Sequence, residues 1–349
     1  MSLKKILIFF FLKALVLNYS NVLFAEVKIV KKAEFGSEAQ KEYLFFQLRN
    51  VKLDKQGNVF VLDVGTCSIK KFNNSFELQK EAGKKGQGPG EFDTPASMDI
   101  DDSGSVYIYD SGKRSILVFD NDLNFKKNIT LEKPELFYRI FLTVDRNLIL
   151  TKNAMLQGEN YFYEFSSEGR YLKSFFGVFQ KLAPRMKGME ELRNYSKLIL
   201  YFLSCCNINP KRDQIAFTHL VPEDPMKIYL IDIKTGTYKT LKYKIPGYNA
   251  QEYFEYTKQG DYKQSSKFPH LYNIFMTREN FIITQRRIDI LKDNSQQTKF
   301  IVDIFSPDGK LLKEGIAFDK ILDIDADNNI YCEKEDNGIT KLIIYSLKI

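Results

Sequence analysis

The segment of the sequence that could most directly do chemistry is GKKGQGPGEF, residues 83–92. Glycines next to lysines are typical of loops whose backbone amides cradle a phosphate group. A nucleotide-binding loop of that kind continues into Lys-Ser or Lys-Thr and the first turn of a helix. Here Gly90 is followed by Glu91 and Phe92, and a β-like segment begins near Pro95. The segment is therefore interpreted as a sharp crossing between two sheets, for which glycine supplies the backbone freedom.

The side chains most often used in catalysis and metal binding are few and show no pattern. The only two histidines are His219 and His270, and strand order alone cannot bring a chosen serine and aspartate beside either. The cysteines show neither a Cys-x-x-Cys pair nor a nearby histidine, as a zinc site would need; they are Cys67, Cys205, Cys206 and Cys332. In an oxidising compartment these cysteines could form one or two disulfides, including a bridge between the two adjacent cysteines. Buried free thiols are the alternative.

The first 25 residues differ from the rest of the chain. Two lysines precede an apolar run, Ile6–Leu17, and the small residue Ala25 follows after a polar stretch. This is the pattern of a secretory signal peptide over residues 1–25. An uncleaved anchor is the alternative, but Lys13 interrupts the run, and a spanning helix needs about 20 consecutive apolar residues. We expect cleavage after Ala25, a secreted or periplasmic protein, and no transmembrane segment in the mature chain.

The charge balance is mild. The chain has 51 basic and 44 acidic residues, and loss of the three lysines in the signal lowers its net charge from +7 to +4. A nucleic-acid-binding domain typically concentrates far more positive charge. We therefore expect no nucleic-acid partner.

A strand–turn–strand unit recurs six times along the chain. It is clearest as VKLDKQGNVFVLD from residue 51, MDIDDSGSVYIYD from residue 98 and LDIDADNNIYCE from residue 322. One apolar residue marks the equivalent place in each copy: Val59, Val106, Leu148, Ile215, Phe281 and Ile330. A second hairpin follows each of the first five copies, with turn residues such as Asp-Gly or Thr-Gly between apolar runs.

Six small sheets, none able to bury both faces alone, predict an all-β fold: a single-domain, six-bladed β-propeller over residues 26–349. The sixth copy ends at KLIIYSLKI without an outer strand, whereas the mature chain begins with the β-like EVKIVKKAEF. We therefore predict that Val27–Phe35 supplies the missing strand and closes the ring, with a frayed terminus as the alternative. Two long inter-blade insertions are also predicted. Residues 177–200 have apolar residues at the spacing of a short helix, and residues 246–270 form an aromatic-rich loop.

Residues 83–125, which run from the glycine-rich crossing through MDIDDSGSVYIYD to ILVFD, resemble the NHL repeat of bacterial six-bladed propeller proteins. The resemblance is weaker in residues 49–80 and 322–333, and it is loose in the middle blades. It implies that the loops between second and third strands share one face with the blade-to-blade crossings, around the mouth of a central channel. It also implies that Asp63 and Asp110, at the ends of equivalent strands, each fix a loop by hydrogen bonding.

Loops on that face are expected at residues 63–68, 110–115, 152–160, 219–227, 285–299 and 333–340. Basic and aromatic side chains in the loops and crossings are the candidate ligand-binding residues: Lys113, Arg114, Arg139, Arg286, Arg287, Tyr253 and Tyr256. Guanidinium groups bind carboxylate or phosphate through two parallel hydrogen bonds. Tyrosine offers a large contact area at low entropic cost.

The functional expectation is an exported binding or scaffold module that recognises a protein, a peptide or an anionic saccharide at the cell envelope, without a cofactor or metal. The alternative is a metal-dependent hydrolase or lactonase, because related six-bladed propellers include such enzymes. It would hold an ion such as Ca²⁺ among carboxylates and amides in the central channel. No catalytic residue can be named from the sequence. Binding is favoured over catalysis, on the strength of fold analogy.

Overall fold

The computed structural model describes residues 26–37, 41–152, 159–177, 205–218, 226–244, 270–292 and 295–349. The predicted signal peptide lies outside these ranges, as do all but the ends of the two predicted insertions. Within the described ranges the chain forms 24 β-strands and one 3₁₀ helix, Lys41–Tyr43. That helix is far too short to span a lipid bilayer, and the described residues contain no other candidate for a membrane-spanning helix.

The strands form six antiparallel sheets of four strands each, the blades, as predicted. Blade 1 contains β2 (Leu48–Leu53), β3 (Val59–Asp63), β4 (Ser68–Phe72) and β5 (Leu78–Ala82). Blade 2 contains β6 (Pro95–Ile100), β7 (Val106–Asp110), β8 (Ser115–Phe119) and β9 (Phe125–Thr130). Blade 3 contains β10 (Arg139–Leu142), β11 (Leu148–Thr151), β12 (Phe162–Phe165) and β13 (Tyr171–Phe175). Blade 4 contains β14 (Cys205–Ile208), β15 (Gln214–Thr218), β16 (Met226–Asp232) and β17 (Tyr238–Tyr243). Blade 5 contains β18 (His270–Met276), β19 (Ile282–Lys292), β20 (Ser295–Phe305) and β21 (Leu311–Phe318). Blade 6 contains β22 (Lys320–Ile324), β23 (Asn329–Asp336), β24 (Ile339–Lys348) and β1 (Lys28–Phe35).

Burial differs between the second strands and the outer strands of the blades. Every residue of β3, β7 and β11 is buried, because neighbouring blades cover both faces of these strands. The outer strands β5 and β1 alternate between exposed and half-buried residues. This difference explains why the second strands read as continuous apolar runs such as VFVLD, while the outer strands mix lysine and glutamate with apolar residues.

Six hydrophobic clusters hold the ring together, and each joins two neighbouring blades. The cluster between blades 6 and 1 brings Val51 and Phe72 together with Leu322 and Ile344. Blades 5 and 6 share another, which includes Phe275 and Ile330. The first and last sheets along the sequence are therefore packed on each other like any other neighbouring pair.

The outer strand of blade 6 comes from the beginning of the described chain. β1 pairs with β24 in antiparallel register from Lys28 opposite Lys348 to Phe35 opposite Leu342. At its end the ring of Phe35 stacks on the ring of Phe76, with centroids 4.4 Å apart. The strand predicted over residues 27–35 is thus present, one residue shorter, in the predicted place.

The hairpin turns between first and second strands repeat one hydrogen-bonding pattern. Asp54 Oδ1 accepts bonds from the backbone N–H groups of Gln56 and Asn58, both at 2.9 Å. The equivalent first residue of each turn is an aspartate, asparagine or threonine, and its side-chain oxygen accepts at least one backbone N–H: Asp54, Asp101, Thr143, Asn209, Thr277 and Asp325. The turn position with positive φ is glycine in blades 1 and 2, but it is Arg212, with φ 60°, in blade 4. The special role of Arg212 is described below.

Three details differ from the sequence prediction. Residues 285–299 were expected to form a loop, yet β19 and β20 stay paired as far as Lys292 opposite Ser295. Most of the loop expected at 333–340 also belongs to strands β23 and β24. In blade 5 the place equivalent to Val59 is held by Ile282 rather than by Phe281. The reason is that Ile282 pairs with Met276, the last residue of β18, which is the first and innermost strand of the blade. In the first two cases, polar side chains made paired strands read as loops. In the third, two adjacent apolar residues left the register open by one position.

The attachment of β1 is expected to weaken in acid. Glu34 forms an ion pair with Lys341 of β24, Oε1 to Nζ 2.8 Å, and another with Lys31. Hydrogen bonds from Lys31 and Lys341 lower the pKa of Glu34 from 4.5 to about 2. Because the folded-state pKa is depressed, this stabilisation is fully present above pH 4.5 and is lost as the pH falls toward 2. Urea unfolding should show Glu34→Gln to be less stable than wild type by roughly 0.5–1 kcal/mol at pH 7, and this difference should shrink steadily between pH 4.5 and pH 2. An equal difference at pH 7 and pH 2 would contradict this assignment.

Candidate functional site

We call the end of the ring at which the innermost strands begin the upper face, and the opposite end the lower face. The register places Asp63, the last residue of β3, opposite Leu48, the first residue of β2. Asp110 lies opposite Pro95 in the same way in blade 2. The loops between second and third strands therefore share the upper face with the crossings that lead into the innermost strands.

The crossing at residues 83–92 leads from β5 to β6 and is closed by its own side chains. Glu91 Oε2 accepts the backbone N–H of Gly88 at 2.8 Å. Gly83 has φ +84°, and a Cβ atom there would lie 2.2 Å from the ring of Phe92. The glycines permit a tight turn over a buried phenylalanine, and the acceptor that binds the Gly88 amide belongs to the crossing itself.

Asp63 and Asp110 each hold the start of the innermost strand of their own blade. The carboxylate of Asp63 accepts the backbone N–H groups of Phe46 and Gln47 at 2.8 and 2.9 Å. The carboxylate of Asp110 accepts those of Asp93 and Thr94 at 2.7 and 2.9 Å. Both aspartates are fully buried. Their side chains fix the loop backbone on the upper face, as the resemblance to NHL repeats implied.

Three of the candidate binding residues lie on the upper face of blades 2 and 3. Lys113 is half-buried and donates to the backbone carbonyl of Glu91 at 2.7 Å, so it secures the crossing. Arg114 is exposed at a position with φ 50°. Arg139 begins β10 and donates from a terminal guanidinium nitrogen to Asn273 Oδ1 of blade 5 at 3.1 Å. Of the three, Arg114 presents its side chain most openly to solvent.

The remaining candidates are not brought to the same place. Arg286 lies within β19, only 4% exposed, and forms two hydrogen bonds to Asp303: Nε to Oδ2 at 2.7 Å and the terminal nitrogen to Oδ1 at 2.9 Å. The expectation of a loop arginine is corrected here, because Asp303 already occupies the face of the guanidinium that a ligand carboxylate would bind. Arg287 follows it in β19 and is half-buried. Tyr253 and Tyr256 lie outside the described residues.

The lysines of the upper face are largely neutralised by carboxylates. The ion pairs are Lys84–Glu91 at 3.1 Å, Lys85–Asp93 at 2.8 Å, Lys152–Glu159 at 3.0 Å, Lys320–Glu333 at 2.6 Å and Lys341–Asp336 at 2.8 Å. Arg49, Arg114 and Arg139 form no ion pair with a carboxylate among the described residues. Arg49 is exposed near the start of β2, at the channel mouth. The described part of the upper face therefore presents three arginines, on blades 1 to 3, without a carboxylate partner among the described residues.

The innermost strands have an edge that no further strand covers, and side chains from neighbouring blades satisfy several of its amides. Asn50 Oδ1 accepts the backbone N–H of Met98 at 3.1 Å, and Ser97 Oγ accepts that of Ile140 at 3.2 Å. Gln285 Oε1 accepts the backbone N–H of Ile321 at 3.1 Å. Since a buried amide without an acceptor is costly, these bonds fix the angular position of one blade against the next.

Four charged side chains meet near the axis toward the lower face, and we call them the channel ion cluster: Lys52, Asp99, Arg212 and Asp323. Lys52 Nζ lies 2.7 Å from Asp323 Oδ2 and 3.8 Å from Asp99 Oδ1. Arg212 reaches from the β14–β15 turn of blade 4 to Asp99 of blade 2, at 2.7 Å. It also donates to the backbone carbonyl of Leu142 in blade 3 at 2.8 Å. The cluster therefore links blades 1, 2, 3, 4 and 6 through ion pairs and charge-assisted hydrogen bonds.

The two positive and two negative charges of the cluster stabilise one another. Burial by itself raises the pKa of Asp99, but Arg212 and Lys52 hold that pKa below its usual value. Burial lowers the pKa of Lys52, yet the carboxylates of Asp323 and Asp99 bring it above its usual value. In Asp323 burial is the dominant effect and raises the pKa. Both carboxylates are engaged by cations of the protein, which leaves the cluster close to neutral.

Sequence reasoning missed this cluster. Lys52, Asp99 and Asp323 share one signal, since each directly precedes the last residue of an innermost strand. Charged residues at equivalent inner positions of three copies could have been noticed. Arg212, by contrast, is 113 residues from Asp99 in the chain, and nothing local indicates the contact.

The metal and thiol chemistry of the described residues is limited. No three His, Cys, Asp or Glu side chains among them lie close enough to hold a metal ion. All four cysteines are free thiols. Cys205 and Cys206 face opposite sides of β14, because one packs in the cluster between blades 4 and 5 and the other in the cluster between blades 3 and 4. Burial raises the pKa of Cys205 to about 12 and that of Cys206 to about 11, so both are unreactive thiols near neutral pH.

The geometry defines a six-bladed β-propeller, and comparisons with known proteins agree with that class. Residues 37–204, slightly less than half of the chain, match a family model described as a 6-bladed beta-propeller. No curated protein matches the sequence. The finer likeness to NHL repeats stays a prediction from the residues that carry it.

Solved structures show the same fold at low sequence identity. A member of the DUF4221 family from Bacteroides vulgatus superposes with a TM-score of 0.64 at 10% identity, over 93% of this chain and 99% of that one. A Bacteroides fragilis protein described as exported superposes with a TM-score of 0.61 at 11% identity, over 94% of this chain and 97% of that one. A virginiamycin B lyase from Staphylococcus aureus reaches a TM-score of 0.47 at 12% identity, over 93% of this chain and 100% of that one. Likeness at these identities is likeness of fold alone.

Proposed function

We propose that this protein is an exported binding or scaffold module, secreted or periplasmic, that recognises an anionic partner on its upper face. The partner class is a protein, a peptide or an anionic saccharide at the cell envelope. The observation that carries the proposal is the set of three arginines on blades 1 to 3 of the upper face. Five lysines on that face are paired with carboxylates and Lys113 donates to backbone carbonyls, whereas Arg49, Arg114 and Arg139 have no carboxylate partner among the described residues.

The surrounding structure supports recognition. The buried carboxylate of Asp63 fixes the backbone just before Arg49, and that of Asp110 accepts the N–H of Lys113, the neighbour of Arg114, at 3.0 Å. A rigid loop loses little entropy when a ligand binds, and a fixed guanidinium can meet a carboxylate or phosphate in bidentate geometry. The charges of the channel ion cluster are mutually paired, so the upper arginines are the cations best placed to attract an anion from solvent. The part of the proposal that concerns export is supported by residues 1–25, whose pattern is that of a secretory signal peptide.

Charge reversal on the upper face should abolish most of the binding to anionic probes. We expect Arg49→Glu with Arg114→Glu to weaken binding to polygalacturonate or to acidic peptides by about tenfold or more, because each arginine contributes on the order of 1 kcal/mol and reversal adds repulsion. Arg139 is left intact, since it bonds to Asn273. Titration calorimetry at low ionic strength measures the affinities.

The matched control reverses two exposed cations of the lower face, Lys211→Glu with Arg146→Glu. Arg146 is, like Arg114, exposed and at positive φ, 62° against 50°, so the control changes the same charge in the same backbone setting. It should leave the affinities unchanged. Equal losses in both variants would mean that only net charge matters, and the proposed site would be wrong.

A further inference from the structure

Three large apolar side chains are exposed beside the upper-face arginines. Phe46 is 58% exposed in the segment that leads into β2, three residues before Arg49. Leu136 and Tyr138 are 48% and 43% exposed in the crossing that leads into β10. Single exposed apolar residues are ordinary on protein surfaces. Here Phe46 precedes Arg49 on blade 1, and Leu136 and Tyr138 precede Arg139 on blade 3, all on the upper face.

The backbone that presents these side chains is fixed. The N–H of Phe46 is bound by Asp63 at 2.8 Å. On the other side, the hydroxyl of Tyr109 donates to the carbonyl of Glu135 at 3.0 Å and accepts the N–H of Phe137 at 3.1 Å, so both peptide neighbours of Leu136 are held. The exposed side chains therefore sit on preorganised loops, which a partner can bind without ordering them first.

We infer that Phe46, Arg49, Arg114, Leu136 and Tyr138 act as one strip across the upper face, and that this strip docks an acidic peptide segment that carries large apolar side chains. This inference rests on the proposed function and narrows its ligand class. The charge of the strip is complementary to acidic residues, and arginine with aromatic side chains is the composition typical of energetically dominant interface positions. A uronic-acid polysaccharide would satisfy the arginines, but the C–H faces of its hydroxylated rings would cover less of Phe46 and Leu136 than large apolar side chains would.

Two synthetic peptides and one polysaccharide separate these ligand classes. The first peptide alternates glutamate with phenylalanine and leucine, the second has the same glutamates with serine in place of the apolar residues, and polygalacturonate is the saccharide probe. We expect the apolar-acidic peptide to bind about tenfold more tightly than its serine counterpart, which corresponds to roughly 1.4 kcal/mol. Fluorescence anisotropy with labelled peptides gives the dissociation constants.

Variants then test whether the strip is responsible. Phe46→Ser with Leu136→Ser should weaken the affinity for the apolar-acidic peptide by about tenfold and leave the affinity for polygalacturonate unchanged. The control removes two exposed apolar side chains elsewhere, Val144→Ser with Leu172→Ser, which are 69% and 46% exposed. It should change neither affinity. Melting temperatures of all variants confirm that the propeller is folded.

The possible failures are distinguishable. If polygalacturonate binds through Arg49 and Arg114 while the peptide does not bind, or binds without regard to Phe46 and Leu136, the peptide inference is overturned and the proposed function stands. If no anionic probe binds the folded protein, both are overturned. If the apolar-acidic peptide binds, and this binding is lost in the arginine variant and in the apolar variant, the result supports the proposed function and the peptide inference.

Discussion

A chain that begins at Gly36, and so lacks β1, is expected to lose about 3–5 kcal/mol of stability or to fail to fold. β1 supplies the outer strand of blade 6 and pairs with β24 over its whole length. Its removal exposes one edge of β24 and uncovers apolar surface that Ile29 and Phe35 now cover in the clusters on either side of blade 6. The partial burial of a few apolar side chains and the pairing of one strand together contribute several kcal/mol to the free energy of unfolding. The total for a typical domain is about 5–15 kcal/mol.

The measurement is urea unfolding followed by circular dichroism. The control chain begins at Glu26, as expected after removal of the leader, and therefore keeps β1. A synthetic peptide of residues 26–35, added in trans, should restore part of the lost stability in proportion to its concentration, because it binds only the folded propeller. If the shortened chain is as stable as the control, β1 does not contribute to closure of the ring.

The second large effect is expected at the centre of the channel ion cluster. Asp99→Ala should destabilise the protein by about 3–5 kcal/mol, because it leaves the half-buried guanidinium of Arg212 without a carboxylate partner and Lys52 with Asp323 alone. It also removes the acceptor of the backbone N–H of Leu142, bound at 2.7 Å. Asp102→Ala is the matched control, since Asp102 pairs with Lys55 at 3.0 Å but both side chains are exposed. That surface pair should contribute no more than about 1 kcal/mol.

A double variant tests the pairing itself. Arg212→Gly removes the guanidinium and also relieves the positive φ of 60°, which costs an arginine about 1–2 kcal/mol. The double variant, Arg212→Gly with Asp99→Ala, should lose clearly less stability than the two single variants added together. It removes the guanidinium and its carboxylate partner at once, so neither charge is left without the other. Additive losses, or an Asp99→Ala protein as stable as Asp102→Ala, would rule out the cluster as a link between blades.

Much of the fold could be predicted because its signals are local. The equivalent residues Val59, Val106 and Leu148 are all buried at the start of second strands, as the repeat indicated. Each hairpin turn carries its own signature, such as the side-chain acceptor of Asp54 followed by Gly57 at positive φ. These features involve residues within five positions of one another, so the amino-acid order alone reveals them.

The candidate site was predictable only in part. Arg114 and Arg139 lie on the upper face as expected, but Arg286 proved to be a buried partner of Asp303. The segment around Arg286 is rich in polar residues and therefore reads as a loop, although backbone pairing to β20 makes it a strand. Side-chain polarity does not reveal which backbone groups find partners in a long hairpin.

By itself the sequence determined the class of fold, the number of blades and the strand that completes the last one, because small sheets with one pattern must stack to bury their faces. Only the tertiary structure decided which charged side chains pair with one another and which stay available to a partner. Arg212 meets Asp99 across 113 residues, and Arg139 meets Asn273 across 134. Such contacts depend on how blades are arranged about the axis, which no local pattern records, and they separate the paired charges of the channel from the arginines left at its mouth.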